Sequence, residues 1–220
     1  MTGRTKPVAI TVAAPRRTGR IEPPDRERVL TAAAELFRKQ GFERTTLKEI
    51  AHACNMLPGS LHYRYPSKES LLIDMMRLAM HRVMEATIGA AAGVADPIEQ
   101  MRRTLTAHLK TVVGGSDTVY VLLFDWRALQ GEAREELIVL RDSYEAQWMM
   151  MLKHLRKQGL VREDIDLRLL RLVALGAINW VSTWYRADGL YSLDQIASFI
   201  WQITRDAVLT PQARERSLQS

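Results

Sequence analysis

Between residues 45 and 68 the chain reads TTLKEIAHACNMLPGSLHYRYPSK, bringing together Thr45, Thr46, Ser60, His62, Tyr63, Arg64 and Lys68. Hydroxyls, an imidazole and cations in one short run are the groups that donate hydrogen bonds to phosphate oxygens and base edges. They do not form a catalytic set. The histidines, at 52, 62, 81, 108 and 154, are scattered, and no serine or cysteine stands at a spacing that would pair with one. His52-x-Cys54 is too short to set a zinc site and no second ligand pair follows it. No glycine-rich phosphate loop is present. The chemistry expected is binding; no catalytic residue, metal ligand or cofactor is assigned.

Those donors must be held by short helices. Leu47, Ile50, Ala51 and Cys54 fall at i, i+3, i+4 and i+7, one apolar helical face. Asn55 breaks that pattern and tolerates the left-handed backbone of a sharp turn. Pro58 opens a second helix, to about Tyr63, that buries Leu61 and leaves Ser60, His62 and Tyr63 outward. Two short helices about a tight turn are the helix-turn-helix plan, whose second helix enters the major groove of DNA. Upstream, Asp25 is placed to cap a helix carrying Val29, Ala33, Leu36, Phe37 and Gln40, which Gly41 ends. Thr45-Thr46 caps the next helix, and the Thr46 hydroxyl with a free amide is suited to a phosphate. Ser67 caps a long helix, although Ser67-x-x-Ser70 lacks the glutamate of a full capping box. Lys68 in that first turn opposes the helix dipole, a conflict that a phosphate would relieve.

Charge follows the same division. Residues 1–70 carry 13 Lys/Arg against 7 Asp/Glu, whereas residues 71–220 carry 18 of each. A basic module beside a neutral one is the electrostatic footprint of a nucleic-acid binder. The single cysteine, Cys54, excludes an internal disulfide and fits a reducing cytoplasm. No segment approaches the roughly 20 apolar residues of a membrane span. Residues 1–24 mix Arg, Lys, Thr, Gly and Pro without a period and read as a disordered basic arm.

Beyond the helix-turn-helix at 25–70, the pattern is helical throughout. Leu72, Met75, Met76, Ala79, Met80 and Val83 form the stripe of the long helix. Further helices are expected at about 96–113, 117–129, 132–158, 166–187 and 193–209, separated by glycines. Connections this short favour antiparallel neighbours. The fold class is therefore all-α: a three-helix amino-terminal domain, a helical bundle over 71–212, and a tail at 213–220.

The run from Val29 to Leu72 resembles the tetracycline-repressor (TetR) family of bacterial transcription regulators. The resemblance rests on Phe37-Arg-Lys-Gln-Gly41-Phe42, Thr45-Thr46, Ile50-Ala51, Gly59-Ser-Leu61, Tyr65, Ser67-Lys68 and Leu71, about 45 residues in all. It departs from the family pattern at Cys54-Asn55-Met56, where Ala-Gly-Val is usual, and at His62, where a tyrosine that touches phosphate is usual. The resemblance implies that Thr46 and Lys68 hold phosphates, with Thr45 and Arg64 beside them, while Pro58, Ser60, His62 and Tyr63 face the groove. No arginine stands mid-helix to grip a guanine by two bonds, so DNA shape is expected to share in specificity.

The resemblance further implies a ligand pocket in the larger domain and a homodimer through helices 166–187 and 193–209. Leu169, Val173, Gly176, Ala177, Trp180 and Trp184 on one, and Ile196, Phe199, Ile200, Ile203 and Ala207 on the other, supply the apolar faces. Asn179 to Gly189 is similar to a stretch in members that sense acyl-CoA thioesters. Residues suited to an adaptable apolar pocket are Met76, Met80, Met101, Leu105, Leu122 and Phe124, then Trp126, Tyr144, Trp148, Met151 and Trp180. Trp184 and Arg186 complete the set, the arginine as a candidate grip for a carboxylate or phosphate. The expected protein is a cytoplasmic repressor binding double-stranded operator DNA as a homodimer and released by a small apolar or amphipathic effector. The alternatives are an all-helical enzyme acting on such a ligand and a ligand-free DNA-binding regulator.

Overall fold

Three short helices and one long one carry the amino-terminal half of the computed structural model, which describes residues 26–219. The basic arm at 1–24 and the cap assigned to Asp25 lie outside the described residues. Helix α1 (Arg26–Gln40), α2 (Leu47–Ala53) and α3 (Pro58–Arg64) pack around Val29, Leu30, Phe37, Ile50 and Leu61, all buried. The Phe37 and Phe42 rings meet edge-to-face, 5.1 Å between centroids, and fix the turn after α1.

Helix α4 (Lys68–Ala91) belongs to both halves. The boundary expected at residue 70 falls in its first turn, and the helix runs on without a break. Its expected stripe, from Leu72 to Val83, is buried. The cap at Ser67 is a reciprocal box after all. The Ser67 hydroxyl accepts from the Ser70 amide at 3.0 Å, and the Ser67 amide donates to the Ser70 hydroxyl at 3.2 Å, so serine does what a glutamate was expected to do.

The larger half adds α5 (Pro97–Val113), α6 (Asp117–Phe124), α7 (Gly131–Lys157), α8 (Leu167–Trp184), α9 (Leu193–Val208) and α10 (Pro211–Gln219). The helix expected over 117–129 is broken: the chain leaves α-helical geometry at Asp125 and tightens into one turn, Trp126–Ala128, that drives Leu129 fully into the core. The expected tail is also a helix. Pro211 pre-sets its first turn, Ala213 is buried, and Arg216 pairs with Asp96 at 3.0 Å. A lone antiparallel bridge, Val161 to Leu209, pins the α7–α8 turn to the end of α9.

Between α5 and α6 stand Gly114 and Gly115. A Cβ on Gly115 would lie 2.0 Å from the Thr111 carbonyl oxygen, so only glycine fits this joint. No helix among the described residues is long and apolar enough to cross a membrane.

Candidate nucleic-acid interface and ligand cavity

Asn55 takes φ +55°, the only positive φ at a non-glycine among the described residues, and turns the chain sharply from α2 into α3. Helix α3 has Leu61 fully buried as its anchor and exposes Pro58, Ser60, His62, Tyr63 and Arg64. Tyr63 is 92% exposed, a large aromatic placed in water by a rigid element. This is the presentation that a groove-reading helix requires.

Thr45, Thr46 and Lys68 already have partners within the chain. Thr45 is buried, and its hydroxyl donates to the Gly41 carbonyl at 2.8 Å, so it braces the α1–α2 turn instead of facing a phosphate. Thr46 is exposed but closes a capping box: its hydroxyl and its amide both donate to the Glu49 carboxylate, at 2.7 and 2.8 Å. A phosphate would have to displace Glu49 to use either. Lys68 donates from Nζ to the Phe42 and Glu43 carbonyls, at 2.6 and 3.1 Å, and lies 4.3 Å from the centre of the Phe42 ring. Those oxygens and that ring relieve the dipole conflict that the sequence left to a phosphate.

A clasp joins this domain to α4. Arg26 grips Asp74 through two hydrogen bonds, at 2.9 and 2.6 Å, and the Tyr65 hydroxyl donates to the same carboxylate at 2.7 Å. The Arg26 hydrogen bonds hold the Asp74 carboxyl below its ordinary range, and burial pushes the Tyr65 phenol up. A second clasp reaches α6, where Arg38 pairs with Asp117 at 2.5 Å and lies over the Tyr120 ring at 4.7 Å.

The opposite side of α6 is a wall of an apolar cavity, about 310 Å³, lined by α4 to α8. Met80, Val119, Leu122, Leu137 and Leu175 make it apolar, and Trp126 stands at one end. The polar lining is Arg134, Arg141, Arg171, Glu145, His108, Tyr144 and Asn179. Small-ligand sites have this composition: apolar space with a few convergent polar groups.

Of the residues expected to line it, Met80, Leu122, Trp126 and Tyr144 do. Met76, Met101 and Leu105 are buried in the core outside the lining. Trp148 and Met151 line a neighbouring groove with Tyr144, and Phe124 faces the loop that follows α1. Trp180 and Trp184 are 65% and 49% exposed, and Arg186 is an exposed partner of Asp188 at 3.1 Å. These three do not reach the cavity because α8 turns the face that bears them outward. Sequence reasoning missed His108, Arg134 and Arg171, and named Asn179 only as the start of the stretch similar to acyl-CoA-sensing members. For His108 a signal existed: a polar residue on the buried face formed by Leu105, Leu109 and Val112.

Comparison with known proteins decides the family. The profile of the bacterial regulatory proteins of the tetR family matches residues 29–75, and that of the tetracyclin repressor-like C-terminal domain matches residues 94–208. The chain belongs to the tetR family. It is a DNA-binding transcriptional regulator, repressor-like in its larger domain. Among tetR-family relatives, the HTH-type transcriptional repressor KstR2 of Rhodococcus jostii is 28% identical over 188 residues, 84% of this chain and 92% of that protein. AibR, solved in complex with isovaleryl coenzyme A and operator DNA, superposes with a TM-score of 0.75 at 28% identity, covering 81% of this chain and 97% of that one. AibR without ligand superposes with a TM-score of 0.73 at 27% identity over the same shares.

Proposed function

We propose that this protein represses transcription in the cytoplasm by gripping a near-palindromic operator as a homodimer, and that an amphipathic effector, an acyl-CoA thioester, releases it. It acts by binding and not by turnover. The observation that carries the reading is the position of α6, which has the cavity on one side and the Arg38–Asp117 clasp to the DNA-binding domain on the other. The likeness to AibR, whose solved complex holds both isovaleryl coenzyme A and operator DNA, supports the same assignment.

In this reading α3 supplies the groove contacts through Ser60, His62, Tyr63 and Arg64. Two copies of α3 must stand about 34–36 Å apart to enter successive major grooves. The second copy covers the apolar face of α8 and α9, where Leu169, Val173, Trp180, Phe199 and Ile203 are more than half exposed in one chain. An effector acts only by binding the DNA-competent and the released forms unequally. A coupling of ~1–3 kcal/mol weakens operator binding roughly 5–150-fold.

The test is direct. Genomic fragments captured by the purified protein yield the operator, and gel-shift titration then measures its affinity with and without short- and medium-chain acyl-CoA thioesters. Release by one of them at micromolar concentration is expected. An operator complex indifferent to every thioester would remove the effector assignment and leave the regulator.

A further inference from the structure

The polar groups of the cavity fix one another's protons. His108 is buried, and burial pushes its imidazole down to about 4, so the ring is neutral and carries one N–H. Its Nε2 lies 3.1 Å from Asn179 Oδ1, an oxygen that can only accept, so the proton sits on Nε2. Nδ1 is then a lone pair, and the Tyr144 hydroxyl 2.8 Å away donates to it. Burial holds that phenol protonated by pushing it up to about 12. With its oxygen turned to His108, the Asn179 amide turns its NH2 group away. Among the described residues that nitrogen has no hydrogen-bond partner. All three residues line the cavity.

Arg171, Leu175 and Asn179 are spaced four apart and share one face of α8 along the cavity wall. Eight residues of helix set Arg171 about 12 Å from Asn179 along the axis. The Arg171 guanidinium pairs with Glu145 through Nη1 at 2.5 Å, while its Nε is buried without a partner. Arg134, Arg141 and Arg171 outnumber Glu145 in the lining. An apolar space whose wall carries excess positive charge and unfilled donors selects an anion that also brings acceptors.

We propose that Asn179 is a specificity-determining residue of this cavity: its amide N–H donates to a carbonyl oxygen of an amphipathic anion whose charge lies toward Arg171 and Arg141. Tyr144 and His108 are positioning residues, which hold the amide that way round. The assignment rests on the effector reading above and adds which group of the effector is read, and by which side chain. An acyl thioester has the required carbonyl and a polyanionic carrier. A ligand without the carbonyl leaves the amide unmatched in a desolvated site.

The test uses hexanoyl-CoA and S-hexyl-CoA, a thioether that differs only in lacking the carbonyl, with the full-length protein. Binding is followed by tryptophan fluorescence, since Trp126 lines the cavity and Trp148 packs against Tyr144. Wild type is expected to prefer hexanoyl-CoA about tenfold. Asn179→Leu should erase the preference, since hexanoyl-CoA loses its donor and S-hexyl-CoA no longer leaves an amide unmatched. Asn179→Ala, a smaller change that also removes the donor, should do the same where the leucine variant fails to fold. Tyr144→Phe, which removes the proton that sets the relay, should reduce the preference, read as the ratio of the two affinities. Equal affinities in wild type, or a preference that survives at position 179, overturn the assignment alone. Failure of wild type to bind either compound overturns it together with the thioester reading.

Discussion

Helices α3 and α8 present opposite surfaces to water. Around its one buried leucine, α3 shows hydroxyls, an imidazole and the Tyr63 phenol. In contrast, α8 shows Leu169, Val173, Trp180 and Trp184, a contiguous apolar stripe. A polar helix face is at ease in water and gives up little when a partner leaves. Apolar area of this size is costly until covered, and in a lone chain it marks an interface. In the proposed reading the two faces meet partners of different permanence: a nucleic acid met reversibly and in a salt-dependent way, and a second copy held throughout.

The sharpest way to break this contrast is to put charge on the apolar face. Trp180→Asp is expected to convert dimer to monomer in sedimentation and to lower operator affinity by more than about 100-fold, the scale of a lost central anchor of ~3 kcal/mol. A variant that stays dimeric would show that α8 is covered by something else. On the polar face, Tyr63→Ala should weaken operator binding by about tenfold to a hundredfold while the dimer persists, as for a single groove contact of ~1–3 kcal/mol. Loss of dimerisation in that variant would mean that the faces are not independent.

The smallest effect concerns the clasp behind α3. Asp74→Asn should lower thermal stability by ~1–2 kcal/mol at neutral pH, since Arg26 and Tyr65 lose a shared, mostly buried carboxylate. The pH dependence has a definite sign. The Asp74 carboxyl is depressed in the folded state, so its contribution is complete above about pH 4, where the unfolded aspartate is ionised too, and disappears as pH falls through the folded value. Thermal melts should lose part of their acid slope in the asparagine variant; an unchanged slope would place the linkage elsewhere.

Legibility in the sequence follows the range of the contacts. The helix-turn-helix could be read because its determinants are near neighbours: Ile50, Ala51 and Cys54 on one face, Asn55 at the turn, Pro58 at the restart. Even there residue type misled, since Thr45 looks like a surface hydroxyl and is locked inward by a carbonyl four residues back. The cavity is assembled from five helices, and its relay joins His108 to Asn179 across 71 positions, a juxtaposition that no local period encodes. The tryptophans of α8 were legible as apolar contacts, named both for the dimer face and for the pocket, and only the fold turns them outward. Whether a stripe turns to its own core or to another chain depends on which neighbouring helices have already filled the interior.

The pair Gly114-Gly115 has a consequence for how α6 responds to its surroundings. A methyl group at position 115 has no room against the Thr111 carbonyl, so even alanine would force the last turn of α5 open or tilt α6. Because α6 is clamped to α1 and also walls the cavity, neither adjustment stays local. The smallest side chain that chemistry offers would work there as a shim, altering from inside the chain the same lever that the effector is proposed to move from within the cavity.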